Sequence, residues 1–72
     1  MKVNYDPEAD VLIFYLKNEP PVDSIEETGG VIISYGQDGE PVTIEFLNAS
    51  RHNLVNANGL TITLQVQSLA VA

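Results

Sequence analysis

Short apolar runs broken by turn-forming residues set the pattern of this chain. Lys2 to Tyr5 reads as a short strand with Val3 and Tyr5 on one face. Asp6-Pro7-Glu8-Ala9-Asp10 follows as a turn, because proline biases the residue before it toward extended backbone. The Asp6 carboxylate is placed to accept nearby amides in an Asx-turn. Val11-Leu12-Ile13-Phe14-Tyr15-Leu16 is branched and aromatic without alternation, which predicts a strand buried on both faces. Six residues are too few for a helix to stand alone. Asn18-Glu19-Pro20-Pro21 closes it.

Val22 to Thr28 is polar apart from Val22 and Ile25, the pattern of an edge strand. Its paired acids Glu26 and Glu27 discourage edge-to-edge pairing. Gly29-Gly30 supplies a turn. Val31 to Tyr35 and Val42 to Leu47 form the two arms of a hairpin around Gly36-Gln37-Asp38-Gly39. Pro41 opens the second arm, where proline is tolerated. Alternation puts Val42, Ile44 and Phe46 toward the core and Thr43 and Glu45 toward water. Asn48-Ala49-Ser50 ends that strand. Over 51–57 two readings stand: a short helix capped by Ser50 and stopped at Asn58-Gly59, or a hairpin turning at Asn58-Gly59. The alternation over Leu60 to Gln67 predicts a last strand, 60–67, with Leu60, Ile62, Leu64 and Val66 on one stripe. The expected fold is mainly β: five to six short antiparallel strands, with at most one short helix around 51–57.

Length makes this a single domain, 1–72, with a β core over 1–50 and an extension over 51–72. A chain of 72 residues buries only about 60 % of its unfolded surface and is marginal alone. It has no Cys, so neither a disulfide nor a thiolate metal site can staple it. Self-association is therefore the expected staple. The Leu60, Ile62, Leu64, Val66 stripe is a candidate homodimer interface, with Asn58-Gly59 as a hinge for strand exchange. An ordinary intramolecular last strand is the equal alternative.

Charge narrows the function classes. The net charge is −7, and only Lys2, Lys17 and Arg51 are basic. That excludes the phosphate neutralisation nucleic-acid binding requires, and a lipid-surface role with it. The N-terminus has no apolar signal region and the longest apolar run is too short to span a bilayer, so a soluble cytoplasmic protein is expected. All ten carboxylates lie between Asp6 and Glu45, and no acid follows Arg51. Asp23, Glu26 and Glu27 form an acidic edge. It reads either as a solvated, aggregation-resistant strand or as a docking face for a basic protein.

Candidate chemistry is sparse. Asp6, Glu8 and Asp10 alternate as calcium ligands do, but the turn glycine and the later bidentate glutamate of such a loop are missing. His52 is the only histidine, which excludes a His-based metal site within one chain. Ser50, His52 and the many carboxylates allow a catalytic triad by composition, without a nucleophile elbow or an oxyanion hole. The glycines lack the strand-to-helix setting of a phosphate loop. Asn48-Ala49-Ser50 has the form of a glycosylation sequon, which a strand-ending turn explains equally well in a chain without a secretory signal. No catalytic, metal or cofactor-binding residue is assigned and no cofactor is expected.

The runs Tyr5-Asp6-Pro7-Glu8-Ala9-Asp10-Val11-Leu12, Gly30-Val31-Ile32-Ile33-Ser34-Tyr35, Asp38-Gly39 and Ile44-Glu45-Phe46-Leu47-Asn48-Ala49-Ser50 come in an order that resembles the small prokaryotic family called domain of unknown function 2283. The likeness covers residues 1–51. It implies a compact β-rich fold and supplies no catalytic residues. Relatives lying beside genes for toxin-like ribonucleases imply an antitoxin-like or accessory binding role. The loop Tyr35-Gly36-Gln37-Asp38-Gly39 is less acidic than the family pattern. Three readings follow: a non-enzymatic interaction module with a basic partner; a ligand-binding protein or enzyme lined at a dimer interface by Tyr5, Tyr15, Tyr35 and His52; and a purely structural part of an assembly.

Overall fold

A computed structural model describes the backbone of residues 1–52, 54–56 and 59–60, and the side chains of these up to Val55. Five strands form one antiparallel sheet: β1 (Lys2–Asp6), β2 (Val11–Tyr15), β3 (Asp23–Glu27), β4 (Val31–Tyr35) and β5 (Pro41–Leu47). Their spatial order is β1-β2-β5-β4-β3, so the longest strand lies at the centre and β1 and β3 form the edges. A single 3₁₀ turn follows over Ala49–His52, then a two-stranded hairpin of β6 (Val55–Asn56) and β7 (Gly59–Leu60). The expected β-rich antiparallel architecture is therefore the one the chain adopts.

The register explains how the apolar residues share one face. Tyr5 sits opposite Leu12, Leu12 opposite Phe46, and Phe46 opposite Val31. The next row on that face is Val3, Phe14, Ile44, Ile33 and Ile25. Because side chains alternate in a strand, the other face carries Asn4, Ile13, Glu45, Ile32 and Glu26 in one row. The core is small: Leu12, Val42 and Ala49 are the buried apolar residues among those described.

Two expectations change here. The run Val11 to Leu16 is not buried on both faces. Leu12 is fully buried, Val11 and Ile13 to Tyr15 are half-buried, and Leu16 is exposed. Among the described residues the sheet is one layer, so β2 has paired edges on both sides without two covering layers. The α-helix expected as one reading of 51–57 is also not seen at its described residues; a two-stranded hairpin is, with Asn56 opposite Gly59, so Gly59 is a strand residue and not part of a turn at Asn58-Gly59. Among the described residues, helical backbone is confined to the 3₁₀ turn Ala49–His52, which begins earlier and takes in Arg51 and His52. Asn48 takes a positive φ of 53° after β5, and its carbonyl accepts the Arg51 amide at 2.9 Å. Ser50 lies inside this turn rather than capping a helix after it.

The turns follow their residue chemistry. Gly29 and Gly30 both take positive φ, 87° and 78°, which a side chain resists. The Gly30 carbonyl accepts the Leu47 amide at 2.8 Å, tying the turn to the end of β5. The β4–β5 loop closes through Gly39 donating to the Gly36 carbonyl at 3.0 Å and Gly36 donating to Glu40 at 2.9 Å.

Candidate functional site

The acidic edge is built by β3. All five residues of Asp23–Glu27 are exposed, and β3 has one neighbour, β4, among the described strands. Among the described residues its outer edge has no paired neighbour, and such an edge offers main-chain donors and acceptors to another strand. Asp23 and Glu27 share a face with Ile25, and Glu26 projects to the other face. Lys2, Lys17 and Arg51 all lie among the described residues, and none comes within 4.0 Å of Asp23, Glu26 or Glu27.

The chain's cations are placed elsewhere. Lys17 Nζ bonds to Asp38 at 3.0 Å and to Glu40, with Glu19 at 4.0 Å. The Glu40 and Asp38 carboxylates hold the Lys17 ammonium well above its ordinary pKa. The Glu40 amide, and after it Lys17, hold Asp38 below its own. This cluster ties the β2–β3 loop to the β4–β5 loop. It leaves Lys17 unable to offset charge on β3. Lys2 Nζ stands over the Tyr15 ring, 5.3 Å from its centre.

The Asp6–Asp10 turn is a structural junction. Asp6 Oδ1 accepts the Glu8 and Ala9 amides at 3.0 and 3.3 Å, the expected Asx-turn. Asp10 takes a positive φ of 56°, a conformation aspartate tolerates better than most residues. Its carboxylate accepts the Tyr5 hydroxyl at 2.8 Å, the Ser50 amide at 3.1 Å and the Ser50 hydroxyl at 2.7 Å. Its carbonyl accepts the Ala49 amide at 2.9 Å. Asp10 thus satisfies the first amides of the 3₁₀ turn from across the fold. The Ser50 and Tyr5 hydroxyls draw the Asp10 pKa below its ordinary value, and the same hydrogen bond raises that of Tyr5.

This clasp rearranges the triad that composition allowed. The Ser50 hydroxyl donates to Asp10 rather than to His52. His52 Nε2 bonds to the Gly29 carbonyl at 3.0 Å, and the ring packs edge-on against Phe46 at 5.6 Å. The sequence reading placed Asp10 in a turn and Ser50 at a cap. No local signal joined residues 40 positions apart.

The aromatic set does not converge. Tyr5 and Tyr35 lie on one face of the sheet at opposite ends, and Tyr15 lies on the other face. Tyr15 lines an open cleft of about 420 Å³ with Met1, Lys2 and Leu16, and Tyr5 lines another of about 410 Å³ with Asn4, Ile13 and Glu45. Neither includes Tyr35 or His52. Of the candidate dimer stripe, Leu60 lies in β7. Ile62, Leu64 and Val66 lie outside the described residues, as does the rest of the strand expected over 60–67.

The family described as "Protein of unknown function (DUF2283)" matches residues 2–50. The chain belongs to this family. The match ends at Ser50, so the clasp lies wholly within it. It joins the first and the last of the four runs that carry the resemblance, Tyr5 to Leu12 and Ile44 to Ser50. No curated protein and no solved structure matches the chain. No helix among the described residues is long and apolar enough to cross a membrane.

Proposed function

We propose that this chain is a cytoplasmic, non-enzymatic interaction module that docks a basic protein through β3. The partner class is a toxin-like nuclease, whose own binding to phosphate demands a cationic surface. The chain then acts as an antitoxin-like or accessory subunit.

The observation that carries this reading is the state of the β3 edge. Three carboxylates without a cation within 4.0 Å stand on a strand exposed along its whole length, beside an edge free of described neighbours. Charge complementarity steers encounter, and main-chain pairing supplies the contact. The separation of Tyr5, Tyr15, Tyr35 and His52 weighs against a shared ligand site within one chain.

The test is a capture from source lysate with the wild type and with a Glu26→Lys, Glu27→Lys double variant, at low salt and at ~0.5 M, where exposed charges are screened. The expected result is a basic protein bound stoichiometrically by the wild type at low salt, lost at high salt and lost with the variant. No stoichiometric basic partner, or one the folded variant binds as well, overturns the reading.

A further inference from the structure

The β4–β5 loop sets an aspartate directly before a glycine, Asp38-Gly39. That dipeptide carries its own chemistry. The amide nitrogen of the following residue can attack the aspartate side-chain carbon, and glycine hinders the attack least because it has no Cβ. The other aspartates are set differently. Asp6 precedes Pro7, which has no N–H to attack with. Asp10 precedes the branched Val11 and is held by Tyr5 and Ser50. Asp23 lies within β3, where pairing with β4 holds the backbone extended. At Gly39 φ is +82°, and beyond its chain neighbours no atom lies within 4 Å of the place a Cβ would take. The approach to Asp38 is open there.

Three contacts hold this chemistry back. Lys17 Nζ donates to Asp38 Oδ2 at 3.0 Å, and the Glu40 amide donates to Asp38 Oδ1 at 3.1 Å. Both favour the carboxylate over the carboxylic acid, and only the acid can release its oxygen as water. The Gly39 amide donates to the Gly36 carbonyl at 3.0 Å, so the attacking nitrogen is engaged by its own loop. We infer that Asp38-Gly39 is a site of spontaneous isoaspartate formation, and that Lys17 sets its rate from the β2–β3 loop.

The step balances with water alone. The Gly39 nitrogen forms a bond to Asp38 Cγ and gives up its proton. The Cγ–OH bond breaks, and the hydroxyl leaves with that proton as water, which closes a cyclic imide. Water then adds to either carbonyl of the ring. Opening at Cγ restores aspartate. Opening at the main-chain carbonyl breaks its bond to the Gly39 nitrogen, and the chain thereafter runs through Cβ and Cγ. The product keeps mass and charge, but its main chain is longer and its carboxylate sits on Cα. The contact through which Lys17 ties the two loops is thereby lost or rebuilt. This inference does not rest on the basic partner, since β3 takes no part in it.

Peptide mapping of the full chain after incubation at neutral pH tests it, with chromatography separating aspartate and isoaspartate peptides of the same mass. Lys17→Met removes the ammonium. An exposed ion pair adds little stability, so the variant stays folded, which circular dichroism checks. Isoaspartate at position 38 should form roughly ten-fold faster in Lys17→Met than in the wild type, the factor that losing one charged hydrogen bond gives. Lys17→Arg keeps the charge and should stay near the wild-type rate. Asp38→Glu, whose carboxyl sits one carbon further out, should abolish the product. Wild type unfolded in urea, which frees both Asp38 and the Gly39 amide, should form it faster than the folded chain. Deamidation at Asn58-Gly59 changes the mass and is read separately. A folded Lys17→Met variant that reacts at the wild-type rate overturns the proposal. So does a wild type that reacts no faster unfolded than folded, or an Asp38 that stays unmodified in every sample.

Discussion

Asp10 shows how much one side chain organises in a small fold. It ends the β1–β2 turn with a positive φ, receives Tyr5 from its own hairpin, and holds Ser50 from 40 residues away. Its depressed pKa makes this a pH-linked contact. The bonds favour the charged carboxylate, so their contribution is full above the ordinary value of 3.8 and is lost as pH falls through the lower folded value. Asp38 acts in the same direction, through the Glu40 amide first and Lys17 second. Tyr5 and Lys17 act at the other end. Their raised values favour the protonated forms, whose contribution is full below 10.0 and 10.5 and is lost as pH rises through the higher folded values. The melting temperature should therefore be flat between about pH 5 and 9 and fall outside that range. Asp10→Asn should lower the plateau and flatten the acid limb, which a pH series of thermal melts measures. An acid limb as steep in the variant as in the wild type would show that Asp10 is not its source. Asp6 and its turn were legible in the sequence because an Asx-turn is local. The Asp10–Ser50 contact was not, because no periodicity or motif encodes a pairing made by the return of the chain.

At the level of elements, the five strands of the sheet lie where alternation and turn residues put them, and the differences have physical causes. The polar segment expected over 22–28 becomes β3, Asp23–Glu27, at the sheet edge. The Gly29–Gly30 turn is where the backbone leaves least freedom. Added to Gly30, a Cβ would lie 3.3 Å from Leu47 Cβ, on a residue whose φ is +78°. At Gly29 φ is equally unfavourable, but no atom lies within 4 Å. Gly29→Ala should thus cost about 1 kcal/mol from backbone strain, and Gly30→Ala should cost more, about 2 kcal/mol. Urea unfolding of the two variants measures the difference, and equal losses would mean that the Leu47 contact yields freely. The helix over 51–57 failed because a capping serine and a following Asn-Gly are local signals that fit a hairpin equally well. Contact decided between them. Asp10 takes the Ser50 amide, Asn48 closes the tight turn, and the chain leaves as β6.

For the whole molecule, the sheet is a single layer with a three-residue buried core among its described residues. If the self-association expected from chain length completes that core, stability is linked to concentration by mass action. The melting temperature should then rise as the protein is concentrated from micromolar to millimolar, and calorimetry across that range checks it; a melting temperature independent of concentration would count against the expected homodimer. The sequence alone determined the five strands of the sheet, the turns between them, the family and the uneven charge, because each is written in residue type and short spacing. It also marked Asp23, Glu26 and Glu27 as an edge, because acids on a polar strand beside apolar ones are a local pattern. Only the tertiary structure decided the β1-β2-β5-β4-β3 order and the Asp10–Ser50 clasp. It alone gave Ser50 and His52 different partners and set the tyrosines apart from one another. It alone brought Val3, Phe14, Ile44, Ile33 and Ile25 into one row. These depend on which strands pair and in what register. That choice follows from how the whole sheet buries its apolar face, not from any short stretch of chain.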